Sequence, residues 1–355
     1  MQKYKLKLKH KHKQGHETME PKLWSQLPED LLYRILSLLP IQSLISLRPT
    51  CKLFHSLLFN PSFLSLLSPS PSPPSLLLSH PQFSPHHLPL FSPSSDIWRS
   101  LSIPQSHPHL LSSSSGILLF SSSFSLLLLN PLTLSSRFLS CPCPPSLSST
   151  LVLTSNGYTI ILPSPNPNLL FLYNSQSMSW SSLRSPALPH SPQKPAFFDG
   201  CLYFTTHEPF SIARLCLSSR DWLPSPIDLP SDLAFARIVS SDGKGLFLVG
   251  GVGQDGISRS LKVWEMVQGG WEEVGRLPDM MMRKFVSVCY HNYSHVYCLC
   301  HEGIICVCCT TWPEVLFFKV LRGTWHWLPR CPSLQEKWSC GFRWFSFVPD
   351  LFAMV

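Results

Sequence analysis

Charge is what this 355-residue sequence has least of. Asp, Glu, Lys and Arg together make up 14%, against about 25% in an ordinary soluble domain. Hydrophobic residues make up 44% and aromatics 12%. That is enough apolar surface to offset the entropy lost on folding, so disorder throughout is excluded. Long apolar runs are missing too. A membrane helix needs about 18 uninterrupted apolar residues. The nearest approach, Gly116 to Leu129, is broken by three consecutive serines. No apolar segment follows the basic start, so no secretory signal is expected. The 13 cysteines are odd in number and irregular in spacing. Free thiols in a reducing compartment, the nucleus and/or the cytoplasm, are expected.

Catalytic signatures are missing as well. The sequence holds no Gly-x-Ser-x-Gly elbow, P-loop, His-Glu-x-x-His or dinucleotide fingerprint. Ser, His and Asp are plentiful but no motif orders them, so neither an intrinsic enzyme nor a cofactor is expected. Cys298-x-Cys300 and Cys306-x-Cys308-Cys309 lie near His291, His295 and His301. Structural zinc usually takes cysteines two to four residues apart. Alternation instead places each pair on one face of a strand, as small core residues would be. No metal is expected.

The net charge is +8, and Lys3, Lys5, Lys7, Lys9, Lys11 and Lys13 supply six of it, leaving +2 elsewhere. The basic signal therefore belongs to a tail, residues 1–20. Any nucleic-acid affinity would reside there, and a solvated terminus is the plainer reading. Residues 21–67 read as short helices. Residues 68–95 carry Pro69, Pro71, Pro73, Pro74, Pro81, Pro85, Pro89 and Pro93, which forbid a helix and suggest a Ser/Pro-rich extended linker. Residues 96–355 hold short β-type runs between turn residues.

Leu31, Leu32, Ile35, Leu36 and Leu39 recur at helical spacing. Pro28 pre-sets the first turn, and Glu29 and Asp30 suit the helix dipole there. Pro40 stops the helix. A second helix fits Gln42 to Leu47. Pro49 can open a third, ending near Asn60-Pro61. From Leu27 to Leu67, 22 of 41 residues are apolar. A unit this small cannot hide them all, so the surplus calls for a partner.

These residues match a family. Leu27-Pro-Glu-Asp-Leu-Leu-Tyr-Arg-Ile-Leu-Ser-Leu-Leu-Pro40, with Leu44, Leu47-Arg48 and Cys51-Lys52, resembles the F-box over about 45 residues. The resemblance implies a three-helix unit that binds a Skp-family adaptor and, through it, a cullin. It assigns adaptor contact to Leu27, Pro28, Leu31, Ile35, Leu36, Leu39, Pro40, Leu44, Leu47, Cys51 and Phe54. Phe54 stands where the family commonly has Trp; it keeps a large aromatic anchor without the indole donor.

In the long C-terminal region an aromatic residue followed by Leu and Pro recurs at Trp98, Phe138, Trp180, Trp222, Trp271 and Trp325. The spacings are 40, 42, 42, 49 and 54 residues. A period of this length signals a propeller, one four-stranded blade per repeat. Turn signals at Ser155-Asn-Gly, Asp199-Gly, Asp242-Gly, Asp255-Gly and Glu302-Gly flank the strand candidates. Strands are also expected at Val286 to Tyr290, and Trp338 to Phe347 should close the last blade. Val249-Gly250-Gly251, Lys262-Val263-Trp264 and Trp271 resemble a kelch blade. The glycines are expected to let backbones crowd near the central channel and to take positive φ. Asn130-Pro-Leu-Thr133 looks like a corner common in plant F-box proteins. The chain thus resembles the plant F-box/kelch-repeat family: a small all-α F-box followed by an all-β kelch-type propeller of about six blades.

The resemblance implies a non-catalytic, substrate-recognition subunit of an SCF-type (Skp-cullin-F-box) ubiquitin ligase, its target protein unidentified. The alternative is a propeller interaction module, or transcriptional co-regulator, acting without ligase assembly. Propeller loops are the expected target surface. Met281, Arg283, Arg259 and Arg214 are the candidates for it, with His207 beside them. The segment Met280 to Lys284 is expected at a loop-to-strand start, and core packing with a solvated charge pair is the competing reading.

Overall fold

The computed structural model describes residues 26–67, 74–103, 109–122, 124–154, 157–185, 193–206, 208–224, 228–241 and 245–355. The basic tail, His207, Ser155-Asn156 and Asp242-Gly243 lie outside the described residues. The chain divides into two compact units, Met1–Ser70 and Pro71–Val355.

The first unit is helical: α1 (Glu29–Ser37), α2 (Ile41–Leu47), α3 (Lys52–Leu57) and α4 (Pro61–Leu64). Pro28 and Pro40 sit at the N-caps of α1 and α2, where a missing N–H costs nothing. Pro49 does not open the third helix. Cys51 does, in an extended conformation, its Sγ accepting from the Phe54 amide at 3.5 Å. Asn60-Pro61 starts a further helix where a stop was expected. Asn60 Oδ1 accepts from the amides of Ser62 (2.9 Å) and Phe63 (3.4 Å). Asn at the N-cap and Pro at the first helical position form a start signal.

The described residues of the second unit form six four-stranded antiparallel sheets, the blades of a β-propeller. Blade 1 contains β1 (Ser75–Ser79), β2 (His87–Ser92) and β3 (Ile97–Ser102). Blade 2 is β4 (His109–Ser114), β5 (Ile117–Ser122), β6 (Ser125–Leu129) and β7 (Ser136–Ser140). Blade 3 is β8 (Thr150–Thr154), β9 (Gly157–Pro163), β10 (Leu169–Asn174) and β11 (Ser179–Arg184). Blade 4 is β12 (Ala196–Phe198), β13 (Cys201–Thr205), β14 (Ile212–Cys216) and β15 (Trp222–Leu223). Blade 5 is β16 (Leu233–Ser240), β17 (Leu246–Gln254), β18 (Ile257–Val267) and β19 (Gly270–Arg276). A helix, α5 (Asp279–Cys289), leads into blade 6: β20 (Val296–His301), β21 (Ile304–Cys309), β22 (Trp312–Lys319) and β23 (Thr324–Trp327). Finally β24 (Arg343–Phe347) pairs with β1, so blade 1 has the order β24-β1-β2-β3.

Three expectations are corrected here. The Ser/Pro-rich stretch 68–95 is not a linker throughout, because it carries β1 and β2. The β1–β2 pairing covers only Leu76–Leu77 with Phe91–Leu90. Pro89 therefore lies beyond the paired span on that side, where its missing N–H breaks no ladder. Second, Trp338 to Phe347 does not close the last blade; its strand is the innermost of blade 1. Third, Met280 to Lys284 and Val286 to Cys289 are helical. Met282, Phe285 and Cys289 are buried along one face of α5, and Pro278 with Asp279 begins it.

The core is distributed among the interfaces between blades. Strand residues alternate sides, and both sides are covered. On blade 2, Leu110, Leu118 and Phe120 pack with Leu77, Phe345 and Phe347 of blade 1. Their neighbours Leu111, Ile117 and Leu119 pack with Leu151, Tyr158 and Ile160 of blade 3. Burial on both faces explains continuous runs such as Ser125-Leu-Leu-Leu-Leu129. The recurring aromatics Trp98, Phe138, Trp180, Trp222, Trp271 and Trp325 all fall in the outermost strand of their blades. Trp180 Nε1 donates to the Ser140 carbonyl at 2.9 Å, and Trp222 Nε1 to that of Arg184 at 2.8 Å. Each reaches back to the outer strand of the preceding blade, which is what the period encodes.

Turns at Asp199-Gly200, Asp255-Gly256 and Glu302-Gly303 have positive φ at both residues, the type I′ geometry that suits a twisted hairpin. The Gly250-Gly251 pair works differently. Neither has positive φ; close approach is the constraint. A Cβ on Gly251 would lie 2.0 Å from Ser258 Oγ and 2.6 Å from Phe235 Cε1. We expect Gly251→Ala to lower stability by about 1–3 kcal/mol, as overpacking does. Gly270→Ala, whose Cβ meets nothing nearer than 3.8 Å, should stay within about 0.5 kcal/mol. Urea unfolding of the full chain, followed by tryptophan fluorescence, compares the two midpoints.

Candidate functional site

Helix α1 carries two apolar stripes. Leu32, Tyr33 and Leu36 form one, and all are buried. Leu31, Ile35 and Leu38 recur four and three residues apart on the other side, and are 44%, 36% and 85% exposed. A surface helix normally has one apolar stripe and a polar remainder. Here the second stripe faces solvent and continues into exposed Leu39.

The helix is held in place from its buried side. The Tyr33 hydroxyl donates to Glu29 Oε1, one turn earlier. It accepts from Asn60 Nδ2 at 2.9 Å, and the Tyr33 ring packs edge-on to Phe63 at 5.5 Å. The Glu29 contact is the first cause that raises the Tyr33 pKa, and burial is the second. A single asparagine thus caps α4 and ties it to α1.

Of the residues expected to contact an adaptor, Pro28, Leu31, Ile35, Leu39, Pro40 and Cys51 are exposed. Leu27, Leu47 and Phe54 are half-buried. Leu36 and Leu44 are 3% and 2% exposed, so neither offers surface to a partner, and both act as interior residues instead. Sequence reasoning missed Leu38, the most exposed apolar residue of the stripe. Its signal was present: it lies seven residues after Leu31, two turns along the same face.

The target-binding candidates are not brought into one cluster. Arg214 lies half-buried in β14 of blade 4. Arg259 is exposed near the start of β18, and Arg283 is exposed on α5. The β17–β18 turn and the passage from blade 5 to blade 6 emerge on the same rim of an antiparallel propeller, so Arg259 and Arg283 share that rim. Met281 is half-buried and packs against the blade 5–blade 6 core, so it serves mainly in packing. Lys284 pairs with Glu314 and lies 4.2 Å from the Trp327 ring centre. Cys298 packs in the blade 5–blade 6 core with Cys300 against it, and Cys306 and Cys308 in the blade 6–blade 1 core. Burial pushes the Cys298 thiol up to about 12. These are packing cysteines.

Residues 24–65 match the F-box-like family. Over 363 aligned positions the chain is 47% identical to an F-box/kelch-repeat protein of Arabidopsis thaliana, covering 95% of this chain and 90% of that one. The chain belongs to the F-box/kelch-repeat family. It is also 28% identical to Protein ABERRANT PANICLE ORGANIZATION 1 of Oryza sativa subsp. japonica, over 94% of this chain and 90% of the relative. To Protein UNUSUAL FLORAL ORGANS of Arabidopsis thaliana it is 24% identical, over 88% and 80%. In an F-box/kelch-repeat protein, the F-box implies binding to a Skp-type adaptor in general, and the propeller points to substrate recognition.

Asn60→Ala removes the cap and the Tyr33 contact together. Loss of an N-cap side chain costs about 0.5–2 kcal/mol. Hydrogen exchange of the full chain should speed up in peptides from α1 and α4 and stay unchanged in β16 to β18.

Proposed function

We propose that this chain is the substrate-recognition subunit of an SCF-type ubiquitin ligase. The helical unit docks on a Skp-family adaptor, which hangs on a cullin, and the propeller holds a target protein. The exposed Leu31–Ile35–Leu38 stripe carries the reading. Three large apolar side chains on one helical face are costly in water, at about 25 cal/mol for each Å² left uncovered. Burying them against a partner is the simplest way to recover that free energy. They lie inside the segment matched to the F-box family.

The chain's contribution is positional. The propeller supplies a rigid frame with recognition at its rims, where Arg259 and Arg283 are exposed. The bond-forming chemistry belongs to other subunits, and the receptor is non-catalytic. The proposed compartment is the nucleus and/or the cytoplasm, a reducing setting that suits 13 free thiols.

Leu31→Lys with Ile35→Lys places two charges in the stripe while leaving Leu32, Tyr33 and Leu36 untouched. Affinity for a purified Skp adaptor should fall at least a hundredfold, with the circular dichroism spectrum of the full chain unchanged. Undiminished binding by the double variant would contradict the docking surface. No binding even by the unaltered chain would favour a propeller interaction module that acts without ligase assembly.

A further inference from the structure

The innermost strands β24, β4, β8, β12, β16 and β20 line a central cavity of about 330 Å³, within the range of small-molecule sites. An innermost strand is an edge strand, so on the channel side its N–H and C=O groups have no neighbouring strand to pair with. Three long side chains serve those groups. Gln193, just before β12, donates through Nε2 to the Ile238 carbonyl at 3.0 Å. Its Oε1 accepts from the Cys298 amide at 2.8 Å. Lys194 Nζ donates to the Leu111 carbonyl. Arg343, the first residue of β24, donates to the carbonyls of Leu110 at 3.1 Å and Leu147 at 2.8 Å.

Lys194 and Arg343 therefore converge. They hold carbonyls of adjacent residues in β4 and flank one aromatic ring. Lys194 Nζ lies 5.0 Å and Arg343 Cζ 5.3 Å from the centre of Phe345. Both line the cavity, and no Asp or Glu among the described residues lines it with them. Two basic side chains without a carboxylate partner in the same cavity are an unusual feature of a protein interior. Burial first, and the Arg343 charge second, hold the Lys194 amine well below its ordinary pKa. Ser113 lines the same cavity, and its Oγ is buried with no hydrogen-bond partner among the described residues. Buried hydroxyls are satisfied in nearly every native interior.

We propose that the central cavity is a binding site for a small organic anion, a phosphate or carboxylate compound, held between Lys194 and Arg343 with Ser113 as a further donor. The donor inventory fits. An ammonium has three N–H donors and a guanidinium five, and the carbonyls take only one and two of them. Charge-assisted bonds to an oxyanion are the strong class, and a guanidinium suits planar or tetrahedral oxyanions in particular. The volume of about 330 Å³ suits a compound the size of a sugar phosphate or a tricarboxylate and is too small for a folded partner. The site is independent of the helical unit, so its failure would leave the receptor reading untouched.

The test is thermal unfolding and calorimetric titration of the full chain at constant ionic strength. Inorganic phosphate, glucose 6-phosphate and citrate are the probes, with glucose as the neutral control. We expect saturable stabilisation by at least one anion and none by glucose. The dissociation constant should rise at least tenfold in Lys194→Met and severalfold in Ser113→Ala, a conservative change that keeps the fold if the first variant does not. A response to phosphate alone identifies the bare oxyanion as sufficient; one confined to glucose 6-phosphate or citrate identifies the organic phosphate or the carboxylate. Anions also stabilise proteins by exclusion from their surfaces, but that effect is unsaturable and equal in all variants. Absence of saturable binding by all three anions, or affinity in Ser113→Ala and Lys194→Met unchanged from that of the unaltered chain, overturns the proposal.

Discussion

The pairing of β24 with β1 is the contact on which the rest of the propeller depends. Five residues of each strand are in register, from Ser75 with Phe347 to Ser79 with Arg343. The two faces of the returning strand feed different interfaces. Trp344, with Phe342 just before the strand, joins the core between blades 6 and 1. Phe345 and Phe347 join the core between blades 1 and 2. A propeller has no single centre, because each core needs a blade on both sides. An open ring would leave those two interfaces incomplete and expose edge strands along its ends. Closure is reinforced by single groups placed far away in sequence. Tyr297 of blade 6 accepts from the Trp344 amide at 2.7 Å. Asn130, fully buried at the end of β6, donates to the carbonyls of Asp350 at 2.9 Å and Ala353 at 3.1 Å.

Much of this was legible in the residues. The 40 to 54 residue recurrence marks the outermost strand of every blade, and in five of the six the aromatic is a Trp that packs into the core shared with the blade before it, while Phe138 stays exposed. The F-box pattern gave α1 and α2 to within a residue or two. What stayed hidden depends on distant partners. Ser75-Leu-Leu-Leu-Ser79 sits among prolines and becomes a strand only because Arg343–Phe347 arrives to pair with it. The helix α5 was obscured by a β-like run at its end, although Met282, Phe285 and Cys289 keep helical spacing. At the proposed docking surface, sequence spacing could not separate the two stripes of α1. Leu36 and Leu31 look alike in a heptad, and only the structure puts one inside and the other out.

The charged interior residues follow the same logic. In a chain with 14% charge, a lone Arg within a strand signals a specific obligation. Arg237 in β16 meets it by donating to the carbonyls of Val296 at 2.7 Å and Tyr293 at 2.6 Å, tying blade 5 to blade 6. Arg343 and Lys194 do so across the channel. These side chains join blades that are not hydrogen-bonded as sheets, which makes the frame rigid. A rigid frame suits the proposed receptor role, in which the chain would hold one partner at a fixed place while other subunits act.

The most direct test of ring closure is urea unfolding of a chain ending at residue 342, beside the full-length chain, followed by tryptophan fluorescence. Loss of β24 should abolish the single cooperative transition and leave a broad, low-midpoint change across all six blades. An unaltered, cooperative transition at the same midpoint would mean that the five remaining complete blades hold together without closure, and would contradict the account.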